Sequence, residues 1–232
     1  MKLKMRSSAL ALCLNFGLVA VAQAAEPGWY VLGFGGESSA SGLSQGQVDD
    51  NLAAIFASVD LDLLAVDSTL DDADTAFGIG GGYQLNDHFA VEFGYVDLGS
   101  LSYRGTGTVT DGVEQAPIEA NLGSSADGPV VSVLGILPIG ERFSVYGRAG
   151  LSFMNAKGTA RITVDGVSDS ASQSSQKSDL MFGAGAEYAL TRHFAVRLAW
   201  DRYMDMATEN VLGDTDADFY SLGVRMGVGW FN

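Results

Sequence analysis

The sequence predicts an all-β chain folded as an eight-stranded antiparallel transmembrane β-barrel, and three observations predict it. One hairpin is written twice, as FGIGGGYQLNDHFAVEFGY over residues 77–95 and as FGAGAEYALTRHFAVRLAW over residues 182–200. Its strands alternate: Phe77, Ile79, Tyr83 and Leu85, then Phe89, Val91, Phe93 and Tyr95, are large and apolar. Gly78, Gly80, Gly82, Gln84, Ala90, Glu92 and Gly94 stand between them. A period of two with one apolar face is a β-hairpin. A bulky face opposite a face of glycine, alanine and isolated charges suits side chains turned outward into lipid around a cramped polar interior. The third observation is that the connections alternate between very short and long, the rim asymmetry of an outer-membrane barrel.

The N-terminus carries Lys2, Lys4 and Arg6, a mostly apolar run from Ala9 to Ala22, and Ala22-Gln23-Ala24, an A-x-A cleavage site. These are the marks of a secretory signal peptide over residues 1–24, with the barrel domain occupying 25–232. The apolar run is too short for a membrane anchor. Cys13 is the single cysteine and lies in that peptide, so cysteine chemistry is not expected in the mature chain. Cleavage would leave ten Lys and Arg against 28 Asp and Glu. So acidic a chain excludes nucleic acid as a partner, because phosphate binding needs clustered cations.

Eight strands are expected, at residues 29–35, 76–85, 89–98, 130–139, 143–153, 180–190, 194–203 and 219–231. Most approach the roughly ten residues that a tilted strand needs to cross a bilayer, and the even count suits closure. Asn86-Asp87, Gly140-Glu141-Arg142 and Thr191-Arg192-His193 form the tight turns. Residues 37–74 carry nine acidic residues and no Lys or Arg, with Val48, Leu52, Ile55 and Val59 at helical spacing, so a short amphipathic helix competes there with a strand or irregular loop. Residues 100–128 read as hairpin arms that continue past the membrane. Residues 155–178 begin in the same way and pass into SDSASQSSQKS, whose apolar content is too low to pack, so mobility is expected. Trp29, Tyr83, Tyr188 and Trp230 at one set of strand ends, and Tyr95, Trp200, Tyr203 and Tyr220 at the other, read as two interfacial girdles.

GAGAEYALTRHFAVRLAW with the terminal SLGVRMGVGWF resembles the membrane domain of the OmpA-like outer membrane proteins, and GGGYQLNDHFAVEFGYVDLG resembles that family's matching earlier hairpin. The resemblance implies an outer-membrane location in a Gram-negative bacterium and contact with membrane lipid and lipopolysaccharide. A monomer without cofactor is expected, and catalysis is not, because no motif places a nucleophile and an orienting acid together. The family's peptidoglycan-binding domain is expected to be absent, since the chain stops after the eighth strand. The terminal aromatic is Phe231, one residue short of the end.

By strand parity Glu92, Arg148, Glu187, Arg197 and Arg225 point inward. Lone charges in a dry interior are costly, so both signs are expected to pair. The family has an interior salt-bridge cluster that plugs or gates its lumen, and by resemblance Glu92, Glu187 and Arg197 fall on its positions. The family's lysine on the fourth strand has no counterpart, and Arg148 stands in for it. A gating cluster and a merely solvated polar interior compete as readings, and gating implies that losing Arg197 makes the barrel leakier. His88 and His193 repeat with the hairpin and read as turn structure rather than as a catalytic pair. Asp214-Thr215-Asp216-Ala217-Asp218 begins like a calcium loop but lacks its glycine and closing glutamate, so no metal site is expected. The functional expectation is a structural and surface-interaction protein acting through long acidic extracellular loops on an extracellular partner. A small or gated porin is the alternative, and a lipid-modifying enzyme the remote one.

Overall fold

The structure, a computed structural model, describes residues 27–205 and 215–228. Residues 1–24, read above as a signal peptide with Cys13 in it, and Asp214, Trp230 and Phe231 lie outside the described residues. The elements are β1 (Gly28–Ser41), α1 (Gln45–Ala57), β2 (Asp62–Asp71), β3 (Ala73–Asn86), β4 (Phe89–Thr110), β5 (Gln115–Ile139), β6 (Phe143–Val164), β7 (Val167–Ala189), β8 (Phe194–Tyr203) and β9 (Asp216–Gly227). Every pairing is antiparallel, and β1 pairs both with β3 and with β9. With the β4–β5 pairing the sheet closes on itself through β1, β3, β4, β5, β6, β7, β8 and β9. Closure gives the strands around the ring partners on both sides, which a chain in lipid requires.

The closed ring has the eight strands expected, and among the described residues the sheet carries a ninth, β2, within the 37–74 connection. It lies outside the ring and pairs with Ser102–Asp71 through Thr110–Asp62 on the distal half of β4, above the stretch that pairs with β3. Four long strands, β4 to β7, thus continue past the ring as a wall, and β2 extends it by one strand. The first tight turn is Asp87-His88 rather than Asn86-Asp87, because Asn86 still pairs with Phe89. The Ser/Gln run is not a free loop: Val167–Ser178 pairs residue by residue with Phe153–Val164 of β6. Its side chains from 168 to 174 are all exposed, so backbone hydrogen bonding rather than apolar packing orders it.

A bulge between Asp97 and Ser100 joins the ring part of β4 to the wall. Gly99 has φ +75, a left-handed conformation that L side chains resist. The extra residue reverses side-chain parity. Val96 and Leu98 point inward below it, and Tyr103 and Val109 point inward above it. Asp74 locks the bend, accepting from the Ser100 N–H at 2.8 Å, its Oγ at 2.9 Å and the Thr75 N–H at 2.7 Å. A Cβ on Gly99 would sit 2.8 Å from Asp74 Oδ2 and 2.9 Å from Thr75 O. Gly99→Ala is therefore expected to cost at least about 1–2 kcal/mol from the backbone alone, read as a lower urea midpoint of the folded, heat-modifiable species.

The outer belt of the ring is apolar and open: Ile79 is 71% exposed, Leu180 60% and Leu198 60%. Water would not tolerate so continuous a patch on a monomer, whereas hydrocarbon requires it. No helix among the described residues is long and apolar enough to cross a membrane. Tyr203 does not belong to a girdle. It is fully buried and faces inward, sharing the parity of Arg197 and Asp201. Trp29 packs edge-on against Tyr83 at 5.1 Å, and Trp200 against Phe182 at 5.8 Å.

The buried charges of the interior lie toward the short-turn side. On the long-strand side Ala76, Val96, Leu98, Ala126, Val130, Met154, Met181, Tyr203, Ala217 and Phe219 form an apolar layer, with Phe34 packed against it and buried Ser38, Ser124 and Ser152 at its margins. All eight ring strands contribute to it. Each of these residues has the inward parity of its strand, and they come together as one apolar layer only when the ring closes.

α1 lies on the lumen-side face of the wall. Ser44 caps it, its Oγ accepting from the Gln47 N–H at 3.3 Å while Gln47 Oε1 accepts from the Ser44 N–H at 3.0 Å, a capping box. The buried face is Val48, Leu52 and Phe56, not the stripe through Ile55 and Val59, which are 39% and 62% exposed. The sheet lies under the i, i+4 ridge, where Tyr103, Val109, Ile118, Ala120 and Leu122 meet it, and Val59 falls beyond the C-cap Ser58. Tyr103 Oη donates to Asp49 Oδ1 at 2.5 Å. Burial, and then this hydrogen bond, push the Tyr103 hydroxyl up to about 12. The folded value exceeds the unfolded one near 10, so this contribution is complete below about pH 10 and is lost as pH rises through about 12. Tyr103→Phe should lower stability by about 1 kcal/mol at neutral pH, with the gap to the parent closing in urea titrations carried up to that range.

Candidate functional site

Alternation places Glu92 on β4, Arg148 on β6, Glu187 on β7, Arg197 on β8 and Arg225 on β9 inside the ring, and all five are buried. Arg197 Nη1 donates to Glu92 Oε1 at 2.6 Å, while its Nε and Nη2 donate to Glu187 Oε2 at 3.1 and 2.9 Å. Arg225 Nη1 reaches Glu187 Oε1 at 2.9 Å, and its Nη2 donates to Gln84 Oε1 at 2.7 Å. Arg148 Nε meets Asp201 Oδ1 at 2.5 Å and its Nη1 stands 3.5 Å from Glu92 Oε2. Tyr30 Oη donates to Glu92 Oε1 at 2.8 Å. The Tyr146 and Tyr30 rings lie against the guanidiniums of Arg197 and Arg225, at 4.8 and 3.9 Å.

Glu92 and Arg197 occupy the same position of the duplicated hairpin, fourth residue of HFAVE and HFAVR after the histidine. In the ring order, β4 and β8 are four strands apart and thus face each other across the lumen. The contact at 2.6 Å is therefore a bridge across the barrel's full width. Three arginines face three carboxylates, Glu92, Glu187 and Asp201, so the cluster is neutral as a whole. Burying six charges is costly one by one, and the mutual pairing offsets that cost. Glycine makes room for it: a Cβ on Gly185 would overlap the Tyr146 ring, which in turn supports Arg197.

Asp201, Tyr30, Gln84 and Tyr146 join the cluster in addition to the five charges expected from strand parity. Asp201 shares parity with Arg197 on β8, and that signal was available. Tyr30 and Tyr146 were hidden because tyrosine also suits a lipid-facing or girdle position. The other candidates lie elsewhere. His88 and His193 sit in separate short turns, where the backbone N–H of His88 donates to Asn86 Oδ1 at 2.8 Å and that of His193 to Thr191 Oγ1 at 3.3 Å. Asp216 and Asp218 lie in strand β9, and Asp218 Oδ2 takes Arg202 Nη2 at 2.6 Å.

A closed antiparallel ring with a lipid-facing belt and side chains filling its bore defines a small transmembrane β-barrel. Its family follows from comparison: the sequence profile of the OmpA-like transmembrane domain matches residues 29–230. The chain belongs to that family and is an outer-membrane protein of the Gram-negative type. It is 30% identical over 158 residues to outer membrane protein A of Escherichia fergusonii, covering 66% of this chain and 40% of that protein. It is 29% identical over 151 residues to that of Klebsiella pneumoniae, covering 63% and 39%. The chain thus spans about 40% of the length of the curated relatives it matches. Among solved structures, Neisserial surface protein A aligns at 16% identity and TM-score 0.43, covering 86% of this chain and 96% of that one.

Proposed function

We propose that this protein is a closed, membrane-anchored barrel that displays an acidic, strand-built surface outside the cell and acts by surface interaction rather than by solute passage or catalysis. The observation that carries this reading is the Glu92–Arg197 bridge between opposite strands. An eight-stranded bore is just wide enough for side chains to fill, and here they meet in the middle. The apolar layer on the long-strand side stands in series with that bridge. In this reading the short turns are periplasmic and the wall of β2 and β4–β7 with α1 is extracellular. Exposed Asp50, Asp60, Asp62, Asp67 and Asp71 give the region around α1 and β2 its charge.

Planar-bilayer recording on the purified barrel tests closure, and no sustained conductance is expected. Large steady currents would transfer the assignment to the second reading, a small gated channel. That reading has one observation in its favour: Arg197 engages Glu92 and Glu187 together, so a rotation could exchange partners. Deletion of residues 43–71, which removes α1 and β2 and spares the ring, tests the surface role. Adhesion or envelope integrity should fall while solute leak stays unchanged. The opposite pattern would count for the channel.

A further inference from the structure

Ten Lys and Arg follow residue 24, and the structure accounts for seven. Arg148, Arg197 and Arg225 are in the lumen cluster, Lys177 pairs with Asp205 and Arg202 with Asp218, and Arg142 and Arg192 stand at the short turns. The other three, Arg104, Lys157 and Arg161, are exposed. They all lie on the outward face of the wall, and none has a carboxylate within ion-pair distance among the described residues.

The register sets two of them in one row. Thr69, Arg104, Asn121, Arg161 and Ser170 are successive partners across β2, β4, β5, β6 and β7. The row to the membrane side of it reads Asp71, Ser102, Gly123, Thr159 and Ser172, and the one beyond it reads Asp67, Thr106, Glu119, Thr163 and Ser168. An open groove of about 1030 Å³ lies here, its lining including Arg104, Arg161, Asn121, Glu119 and Asp71. Arg104 Nε donates to Asn121 Oδ1 at 2.9 Å, and Asn121 Nδ2 donates to Glu119 Oε1 at 3.0 Å. That chain orients Arg104 while leaving its two Nη groups, and the whole Arg161 guanidinium, available to a ligand.

We infer that this groove binds the phosphorylated oligosaccharide headgroup of the outer-leaflet glycolipid that surrounds the barrel. The inference deepens the proposed surface role and rests on the outward orientation of the wall. Position is the first reason. On β6 the same outward row passes from lipid-facing Leu151 and Phe153 to Asn155, Lys157, Thr159 and Arg161 without changing face. At about 3.3 Å per residue on a tilted strand, the groove stands roughly 15–20 Å above that apolar belt, at saccharide height. Chemistry is the second. Two guanidiniums match phosphate oxygens, and the carboxylates of Asp71 and Glu119 with a surround of Ser, Thr and Asn match sugar hydroxyls. The same two carboxylates disfavour a densely charged polyanion. A saccharide with sparse phosphates satisfies both sets.

The test uses the full barrel in phospholipid nanodiscs and measures affinity for purified lipopolysaccharide, for the same glycolipid after dephosphorylation, and for its delipidated saccharide. Arg104→Ala with Arg161→Ala should weaken binding of intact glycolipid roughly tenfold or more, the loss expected from one or two charge-assisted hydrogen bonds. Dephosphorylation should do the same to the parent protein, and Arg142→Ala, on the opposite rim, should change nothing. Equal affinity in the double variant would overturn the proposal, as would indifference to phosphate. Tight binding of the delipidated saccharide without binding of the glycolipid would assign the groove to a soluble glycan and overturn it too. Thr159→Cys, labelled on intact cells by an impermeant maleimide, separates the two readings. No labelling would refute the orientation itself, whereas labelling with unchanged affinity in the double variant would refute only the glycolipid site.

Discussion

Arg197→Ala should lower the stability of the folded barrel by about 3–5 kcal/mol, toward the lower end if water enters the space, because it breaks a buried pair from one side only. Arg197 is 8% exposed and serves two carboxylates, so its loss takes a neutral cluster to a net charge of −1 and leaves Glu92 and Glu187 each short of a donor. Arg148, already 3.5 Å from Glu92 and held by Asp201, can compensate only in part. The measurement is the urea midpoint of the unboiled, heat-modifiable form in detergent. A midpoint equal to that of the parent protein would mean that the network is merely solvated. The leak through Arg197 that the family resemblance implied acquires a second condition here. The apolar layer remains intact in this variant, and a dry constriction resists ions even when polar side chains beneath it have moved apart. Conductance of the single variant is therefore expected to stay low.

Phe219→Ala attacks that layer. Phe219 is fully buried, its ring 5.9 Å from that of Phe34, and it belongs to the apolar cluster to which all the ring strands contribute. Deleting a buried phenyl costs about 3–5 kcal/mol, with the spread set by how well the site collapses, and a β-barrel ring is poorly able to collapse. The single variant should be destabilised yet still closed by the Glu92–Arg197 bridge. Combined with Arg197→Ala, both barriers are gone, and measurable ion conductance should appear only in the double variant. Conductance in Phe219→Ala alone, equal to that of the double variant, would show that the ion network contributes no barrier. Conductance in Arg197→Ala alone would show the same of the apolar layer.

Alternation made the ring strands legible because period two is a local property of each strand. Glu92, Arg148, Glu187, Arg197 and Arg225 followed from parity alone. Parity was also the signal for Asp201, and it contradicted a girdle position for Tyr203, which shares the inward face of β8. The bulge at Gly99 defeated the same rule beyond Leu98. One extra residue reverses which side chains face inward, so Tyr103 and Val109 turn to the helix. β2 is not legible in the sequence because Asp62–Asp71 is half exposed and carries three aspartates, with too little apolar pattern to distinguish a strand from an acidic loop.

The sequence by itself determined the fold class, the strand order of the ring and which charges enter the lumen, because those depend on side-chain periodicity and on the cost of placing polar backbone in lipid. The tertiary structure alone decided the rest. Glu92 and Arg197 are 105 residues apart, and only closure of the ring sets β4 opposite β8 so that the two can meet. Met154, Met181 and Phe219 are unremarkable one at a time and become a dry layer only when eight strands bring them to one level. Arg104 and Arg161 become neighbours only through the register of β4, β5 and β6. Pairing register and closure are long-range properties, fixed by the whole sheet together, and no single stretch of sequence contains them.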